Sequence, residues 1–102
     1  MSQPPENCQS MDEVRAGVDA LDEALIELLA RRFAYMRAAA RIKPSRELVR
    51  DEARKAQVIA NVRRLAAMHG VPEALAGQLW DVLVEGSIAY ELEAWNNGRD
   101  AP

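Results

Sequence analysis

Apolar residues recur every three or four positions through the first part of the chain, the repeat that places side chains on one face of an α-helix. The members of this repeat are Val14, Val18, Leu21, Leu25, Leu28, Leu29, Phe33, Met36 and Ala40. Ser10 and Glu13 have the spacing of a capping box, in which their side chains bind the first free amides of a helix. Since Pro44 is the first proline beyond this point, the pattern predicts a helix from about Met11 to about Ile42.

Two further helical patterns follow a short polar connection at residues 45–49. The second helix is predicted to begin near Arg50 or Asp51 and to stop at Gly70, because glycine is favoured just past a helix end. Pro72 suits the first turn of a third helix. We expect that helix to end near Trp95, before the turn signal Asn97-Gly98.

The predicted fold is all-α, with three helices in one domain over residues 10–97 and no strand-like alternation. Residues 1–9 are expected to form a flexible N-terminal tail, and residues 98–102 a C-terminal tail.

The length of the first helix predicts an intertwined homodimer. About 31 residues at 1.5 Å each give roughly 46 Å, more than helices of about 20 and 24 residues can cover while they also cover each other. An apolar stripe of that length in so small a domain needs a partner chain, and a homodimer is the simplest closed arrangement. An extended three-helix monomer is the alternative.

Composition excludes several classes of protein. The 102 residues include 13 basic and 16 acidic side chains, for a net charge of −3, which argues against a nucleic-acid or anionic-membrane binder. One cysteine and one histidine are too few for a disulfide framework or a zinc site. The N-terminus lacks the features of a signal peptide. We therefore expect a cytoplasmic protein without a metal or cofactor.

Polar side chains interrupt the apolar faces of the first and third helices. Arg32 and Lys43 are eleven positions apart, three helical turns, and project from nearly the same face. Ser87 and Glu91 are four positions apart within the apolar sector of the third helix. Burying an unpaired polar group costs about 2 kcal/mol or more, so these side chains should be paired or should face a cavity.

Three other charged residues extend this set. Asp51 and Arg54 are one turn apart on the second helix, and Arg15 would join the same site more naturally from the other subunit of a dimer. Together these positions predict a cavity for a small polyanion. Plainer interpretations remain for single residues: Arg15 could pair with an acidic neighbour on its own helix, and Lys43 could stabilise a helix C-terminus.

The chain contains no nucleophile arrangement. Ser87 has no histidine partner in helical register, and no glycine-rich phosphate loop is present. A reaction at this site should therefore depend on positioning and electrostatics.

Five segments carry a resemblance to a known family: Met11-Asp-Glu-Val-Arg-Ala-Gly-Val-Asp-Ala-Leu-Asp22, Leu28-Leu-Ala-Arg-Arg32, Arg41-Ile-Lys43, Val49-Arg-Asp51-Glu-Ala-Arg54 and Glu85-Gly-Ser-Ile-Ala-Tyr-Glu91. In combination they resemble the all-α chorismate mutases and their relatives, the isochorismate pyruvate lyases, over roughly residues 8–95. The resemblance implies intertwined dimers of three-helix protomers with two active sites.

The resemblance also implies roles for individual residues. Arg15 matches the arginine donated across the dimer, and Arg32 matches the arginine of the same protomer that grips a substrate carboxylate. Lys43 matches the lysine that hydrogen-bonds the enolpyruvyl ether oxygen of the substrate.

Three more residues match binding positions of the family. Asp51 and Arg54 match site positions on the second helix, and Ser87 matches a carboxylate contact on the third. The implied substrate is a dianion with two carboxylates, which bidentate arginines would hold in the folded conformation that the pericyclic rearrangement requires.

Two positions depart from the mutase pattern. Many mutases have glutamine at the position of Glu91, and its amide donates to the ether oxygen. A carboxylate cannot donate, so Glu91 would have to be protonated, and activity should rise toward acidic pH. After Arg54 mutases often have a glutamate that holds the ring hydroxyl, but this chain has Lys55, which weakens the expected preference for chorismate over isochorismate.

The most direct expectation is a homodimeric chorismate mutase that makes prephenate. The N-terminal Pro-Glu-Asn-Cys8 and Arg-Ile-Lys43 look more like the lyase branch, so an isochorismate pyruvate lyase that makes salicylate and pyruvate is the alternative. A mutase-like interaction module also stays open, as does a weak mutase with a partner enzyme, because some family members are activated by the synthase that opens the shikimate pathway.

Overall fold

The computed structural model describes residues 3–100, with side chains up to Gly98. It contains three long helices: α1 (Met11–Ile42), α2 (Glu52–Met68) and α3 (Glu73–Asp100). Short 3-10 helices lie at Pro5–Asn7 and Arg46–Leu48, and no strand occurs within residues 3–100. The predicted all-α fold with three helices is confirmed.

Local signals fix both ends of α1 as predicted. The Ser10 hydroxyl accepts from the Glu13 amide at 3.2 Å, and Glu13 Oε1 accepts from the Gln9 amide at 3.3 Å. The glutamate thus reaches back one residue further than a standard capping box. At the other end α1 stops at Ile42, two residues before Pro44, which cannot continue a helix.

The predicted bounds of α2 also agree with the structure. The Asp51 carboxylate accepts from the Arg54 amide at 2.9 Å and so caps the helix. The chain leaves α2 at Gly70, whose φ of 73° is in the left-handed region that glycine adopts without strain. In the turn between α2 and α3 the Val71 amide donates to the Ala66 carbonyl at 2.8 Å.

The predicted end of α3 near Trp95 is wrong, because the helix continues through Asn97 and Gly98 to Asp100. Asparagine and glycine lower helix propensity by about 1 kcal/mol or less each, and neither removes a backbone hydrogen bond as proline does. Of the expected C-terminal tail, residues 98–100 are therefore helical, and residues 101–102 lie outside the described part of the chain.

The chain divides into two compact units, and the boundary at Ala34–Tyr35 falls within α1. In the second unit α2 packs on α3. The core of that unit is formed by Val49, Val84 and Ile88, with four partly buried residues packed against them: Val58, Trp80, Leu92 and Trp95.

The apolar face of α1 in the first unit is exposed. Val18, Leu21, Leu25 and Leu28 each expose more than half of their surface. Among residues 3–100, none of the helices combines the length and the apolar composition of a membrane-spanning segment.

Candidate active site

Two of the residues predicted for the site form an ion pair between the end of α1 and α3. Lys43 Nζ donates to Glu91 Oε2 at 2.6 Å. The Glu91 side chain is only 6% exposed and that of Lys43 is 29% exposed. Charged groups this deeply buried persist only when they are paired, so the contact accounts for a carboxyl group on the inward face of α3.

Ser87 lies one turn before Glu91 on the same face of α3. It is buried, and its hydroxyl donates to the Leu83 carbonyl at 2.7 Å. The sequence prediction that α3 carries a hydroxyl and a carboxyl group inward is thus confirmed, and both groups have hydrogen-bond partners, as buried polar groups generally do.

Two further contacts connect the end of α1 with α3. Arg37 Nη1 donates to the Tyr90 hydroxyl at 2.7 Å, and the indole N–H of Trp95 donates to the Lys43 carbonyl at 3.1 Å. Sequence reasoning did not identify Arg37, Tyr90 or Trp95. The spacing of four between Glu91 and Trp95 was a usable signal, whereas nothing in the sequence paired Arg37 with Tyr90.

Asp51 and Arg54 have partners at the start of α2. The Asp51 carboxylate caps the helix, and the Arg54 guanidinium donates to Gln57 Oε1 at 2.6 Å. Both residues are exposed. Their side chains are therefore engaged locally in the single chain, while Lys43 and Glu91 contact each other.

Arg15 and Arg32 lie in the first unit, on α1. Arg15 is exposed and its Nη1 is 3.7 Å from Asp12 Oδ1, so within the single chain it pairs with an acidic neighbour on its own helix. Arg32 is half-buried.

Lys55 belongs to a charge cluster that links α2 to α3. Its Nζ is 3.0 Å from Asp81 Oδ1 and 2.8 Å from Glu85 Oε2. Arg50 binds the same Glu85 carboxylate with both terminal nitrogens, at 2.8 and 3.1 Å, and also contacts Glu52 at 2.7 Å. The residue that departs from the mutase pattern is thus held by two carboxylates of α3.

The cluster shifts the pKa values of its members. Hydrogen bonds from Arg50 and then Lys55 lower the pKa of Glu85 from 4.5 to about 2. The bonds to Glu85 and Asp81 raise the pKa of Lys55, and those to Glu85 and Glu52 raise that of Arg50. The shifts therefore favour the charged forms of Glu85, Lys55 and Arg50.

Within the described part of the chain, no group of three or more histidine, cysteine, aspartate or glutamate side chains could hold a metal ion.

Comparison with known proteins relates the chain to one enzyme family and to a curated protein. The family model described as chorismate mutase type II matches residues 14–92. The isochorismate pyruvate lyase of Pseudomonas aeruginosa is 27% identical over 97 residues, which are 95% of this chain and 96% of that protein. All seven residues predicted for the site fall within the range matched by the family model.

Replacing Glu85 with glutamine should destabilise the chain at neutral pH, because it removes the charge that binds Arg50 and Lys55. A lowered pKa means that the carboxylate stabilises the fold above about pH 4.5 and loses this effect as the pH falls toward about 2. Melting temperatures measured across this range should therefore differ at neutral pH and converge in acid. Glu93→Gln, at an exposed position of the same helix, is the control. A constant difference down to pH 2 would contradict the proposed ionisation.

Proposed function

The chain belongs to the chorismate mutase type II family, and on that premise we propose that it is a chorismate mutase, which rearranges chorismate to prephenate. The family points to an enzyme with a chorismate-like substrate. The observation that best supports a mutase site in this chain is the buried contact between Lys43 and Glu91.

These two residues are the ones proposed to contact the ether oxygen of the substrate. Groups that bind the same atom must lie within hydrogen-bond distance of a common point, and 2.6 Å between Nζ and Oε2 meets that condition. An ammonium group has three donors, so Lys43 can hold Glu91 and a substrate oxygen together.

Lys43 accelerates the reaction by stabilising charge in the transition state. As the C–O bond of the substrate breaks, negative charge grows on the ether oxygen, and a fixed cation nearby binds it more strongly than it binds the ground state. The low exposure of Glu91 strengthens this effect, because electrostatic interactions are larger away from water.

As a carboxylate Glu91 holds the Lys43 ammonium group in place, and only its protonated form would itself donate to the ether oxygen. Its Oε2 accepts from Lys43, so a proton on Oε1 would provide a donor for the ether oxygen without loss of the lysine contact. A glutamine at this position would combine the same acceptor and donor at every pH.

The two carboxylates of the substrate are assigned to the remaining polar residues. Arg32 and Arg54 carry guanidinium groups whose paired N–H donors match a carboxylate, and Ser87 supplies a hydroxyl one turn from Glu91. Asp51 would orient the amino-terminal turn of α2. These contacts would hold the substrate in its reactive conformation, and positioning of this kind can supply much of a rate acceleration.

We propose that Arg15 completes the site from a second copy of the chain. The exposed apolar stripe of α1 includes Val18, Leu21, Leu25 and Leu28. Burying such a side chain stabilises an assembly by about 1.5–3 kcal/mol, and contiguous exposed stripes mark interaction surfaces. An intertwined homodimer would cover this stripe.

An isochorismate pyruvate lyase is the second candidate. The relative from Pseudomonas aeruginosa carries that name and matches nearly the whole chain. In addition, the ammonium group of Lys55 is bound by Asp81 and Glu85, at the position where mutases often have a glutamate for the ring hydroxyl. The two candidate enzymes would use the same cationic site and would differ in the substrate ring that they bind, that of chorismate or that of isochorismate.

Glu91→Gln tests the role of this side chain. The amide oxygen would keep the contact from Lys43 and the amide N–H would donate to the ether oxygen, so we expect the variant to convert chorismate faster than the wild type. The measurement presents chorismate and isochorismate separately and scores prephenate against salicylate plus pyruvate. A variant that converts chorismate more slowly than the wild type would contradict the role of Glu91.

The same assay separates the candidate functions. Dominant prephenate formation supports the mutase, and dominant salicylate and pyruvate formation supports the lyase and makes Lys55 the first position to vary. Turnover of neither substrate favours the interaction module or a mutase that depends on a shikimate-pathway enzyme as its partner.

Mixed dimers test the role of Arg15. We expect Arg15→Ala and Lys43→Ala to be nearly inactive separately. After joint refolding they should recover about a quarter of wild-type activity, because half of the dimers are mixed and each mixed dimer has one unaltered site. Arg31→Ala, at another exposed arginine of α1, is the control and should stay active by itself. If the mixture of Arg15→Ala and Lys43→Ala recovers no activity, Arg15 does not act across the interface.

A further inference from the structure

Lys43 is held by α3 at two separate atoms. Its ammonium group donates to Glu91 at 2.6 Å, and its main-chain carbonyl accepts from the Trp95 indole at 3.1 Å. Glu91 and Trp95 are four residues apart and therefore lie one above the other on α3. The helix thus fixes both the head of the lysine side chain and the backbone from which it departs.

The carbonyl of Lys43 needs such a partner because it lies beyond the end of α1. The Lys43 amide still completes the helix by donating to the Ala39 carbonyl at 2.9 Å. Carbonyls in the last turn of a helix have no partner within it, and Pro44 prevents the helix from continuing. The indole N–H satisfies this carbonyl and determines where α1 ends relative to α3.

The position of the indole is itself determined by the core. Trp95 is partly buried against the cluster of Val49, Val84 and Ile88, and a tryptophan side chain has only two rotatable bonds. Its N–H is therefore presented to Lys43 from a fixed place. The lysine, by contrast, has a flexible four-carbon stem, which could point in many directions from an unfixed backbone.

We propose that Trp95 is a positioning residue for Lys43: its indole N–H fixes the Lys43 backbone so that the ammonium group reaches Glu91 and the reacting oxygen. This inference depends on the proposed function for its effect on turnover, but not for its effect on Lys43 itself. Trp95 is not assigned a substrate contact and acts through the lysine.

Trp95→Phe tests this role, because it keeps an aromatic ring in the core and removes the N–H. Trp80→Phe is the matched control, since Trp80 packs against the same core cluster. We expect Trp95→Phe to lower kcat for the active substrate about tenfold with little change in KM, because a misplaced group loses contacts made in the transition state. Trp80→Phe should leave kcat near the wild-type value, even if both variants lose similar stability.

A second readout follows Lys43 without any turnover. The chain has two lysines, Lys43 and Lys55, so carbon-13 labelling at the lysine Cε gives two NMR signals, which a Lys43→Arg variant assigns. The Lys43 signal should move toward that of an exposed lysine in Trp95→Phe and stay in place in Trp80→Phe. The Lys55 signal should be unaffected in both variants.

The outcomes separate this inference from the proposed function. A shifted Lys43 signal together with a fall in kcat supports both. A shifted signal in a protein whose wild type turns over neither substrate supports the positioning of Lys43 and overturns the proposal that the chain is active without a partner enzyme. An unmoved signal, or a fall in kcat equal to that of Trp80→Phe, overturns the role of Trp95.

If Trp95→Phe does not fold, the wild type provides the measurement. The Trp95 indole proton, held by the Lys43 carbonyl, should exchange with solvent more slowly than that of Trp80. Equal or faster exchange would overturn the inference.

Discussion

A carboxyl group on the inward face of α3 constrains everything around it. The Glu91 side chain is 6% exposed, and taking a charge out of water costs several kcal/mol unless a partner of opposite charge is present. The end of α1 must therefore lie where the Lys43 ammonium group can contact Glu91, and Pro44 directly follows Lys43 and prevents the helix from continuing. The hydrophobic cluster of Val84 and Ile88 determines how α3 lies against α2, and Trp95 extends this cluster to the Lys43 backbone.

The two lysines of the chain show how environment decides what a charge does. Lys43, at the end of α1, is paired with the buried Glu91 of α3. Both residues belong to the group assigned to substrate binding. Lys55 binds Asp81 and Glu85, whose side chains are 54% and 41% exposed, and Arg50 shares the Glu85 carboxylate. Charge pairs with exposed partners stabilise modestly and are screened by salt. We therefore assign Lys43 to the reaction and Lys55 to the connection between α2 and α3. We expect Lys55 to affect substrate choice only because it replaces the glutamate with which mutases often hold the ring hydroxyl of the substrate.

Much of the fold could be predicted because its signals are local. Ser10, Glu13 and Pro44 fixed both ends of α1, and Asp51 and Gly70 marked those of α2. The end of α3 was missed because Asn97-Gly98 is a weak stop that helix hydrogen bonds override. For the site, spacing placed Ser87 and Glu91 on an inward face, and family resemblance connected them with Lys43. The bonds from Arg37 to Tyr90 and from Trp95 to Lys43 join residues more than 50 positions apart, which no local pattern predicts.

The central claim is that Lys43 and Glu91 act on the same ether oxygen, and a double-mutant cycle in kcat/KM tests it most directly. The variants are Lys43→Met, Glu91→Ala and the combination of the two. They are assayed on the substrate that the wild type converts, chorismate or isochorismate. If both residues act on the same ether oxygen, Lys43→Met alone should lower kcat/KM about a hundredfold or more, and the combined variant should be little worse, because groups that act as a unit are not additive. Losses that simply multiply would show that the two residues act independently, and would contradict a shared role at the reacting oxygen.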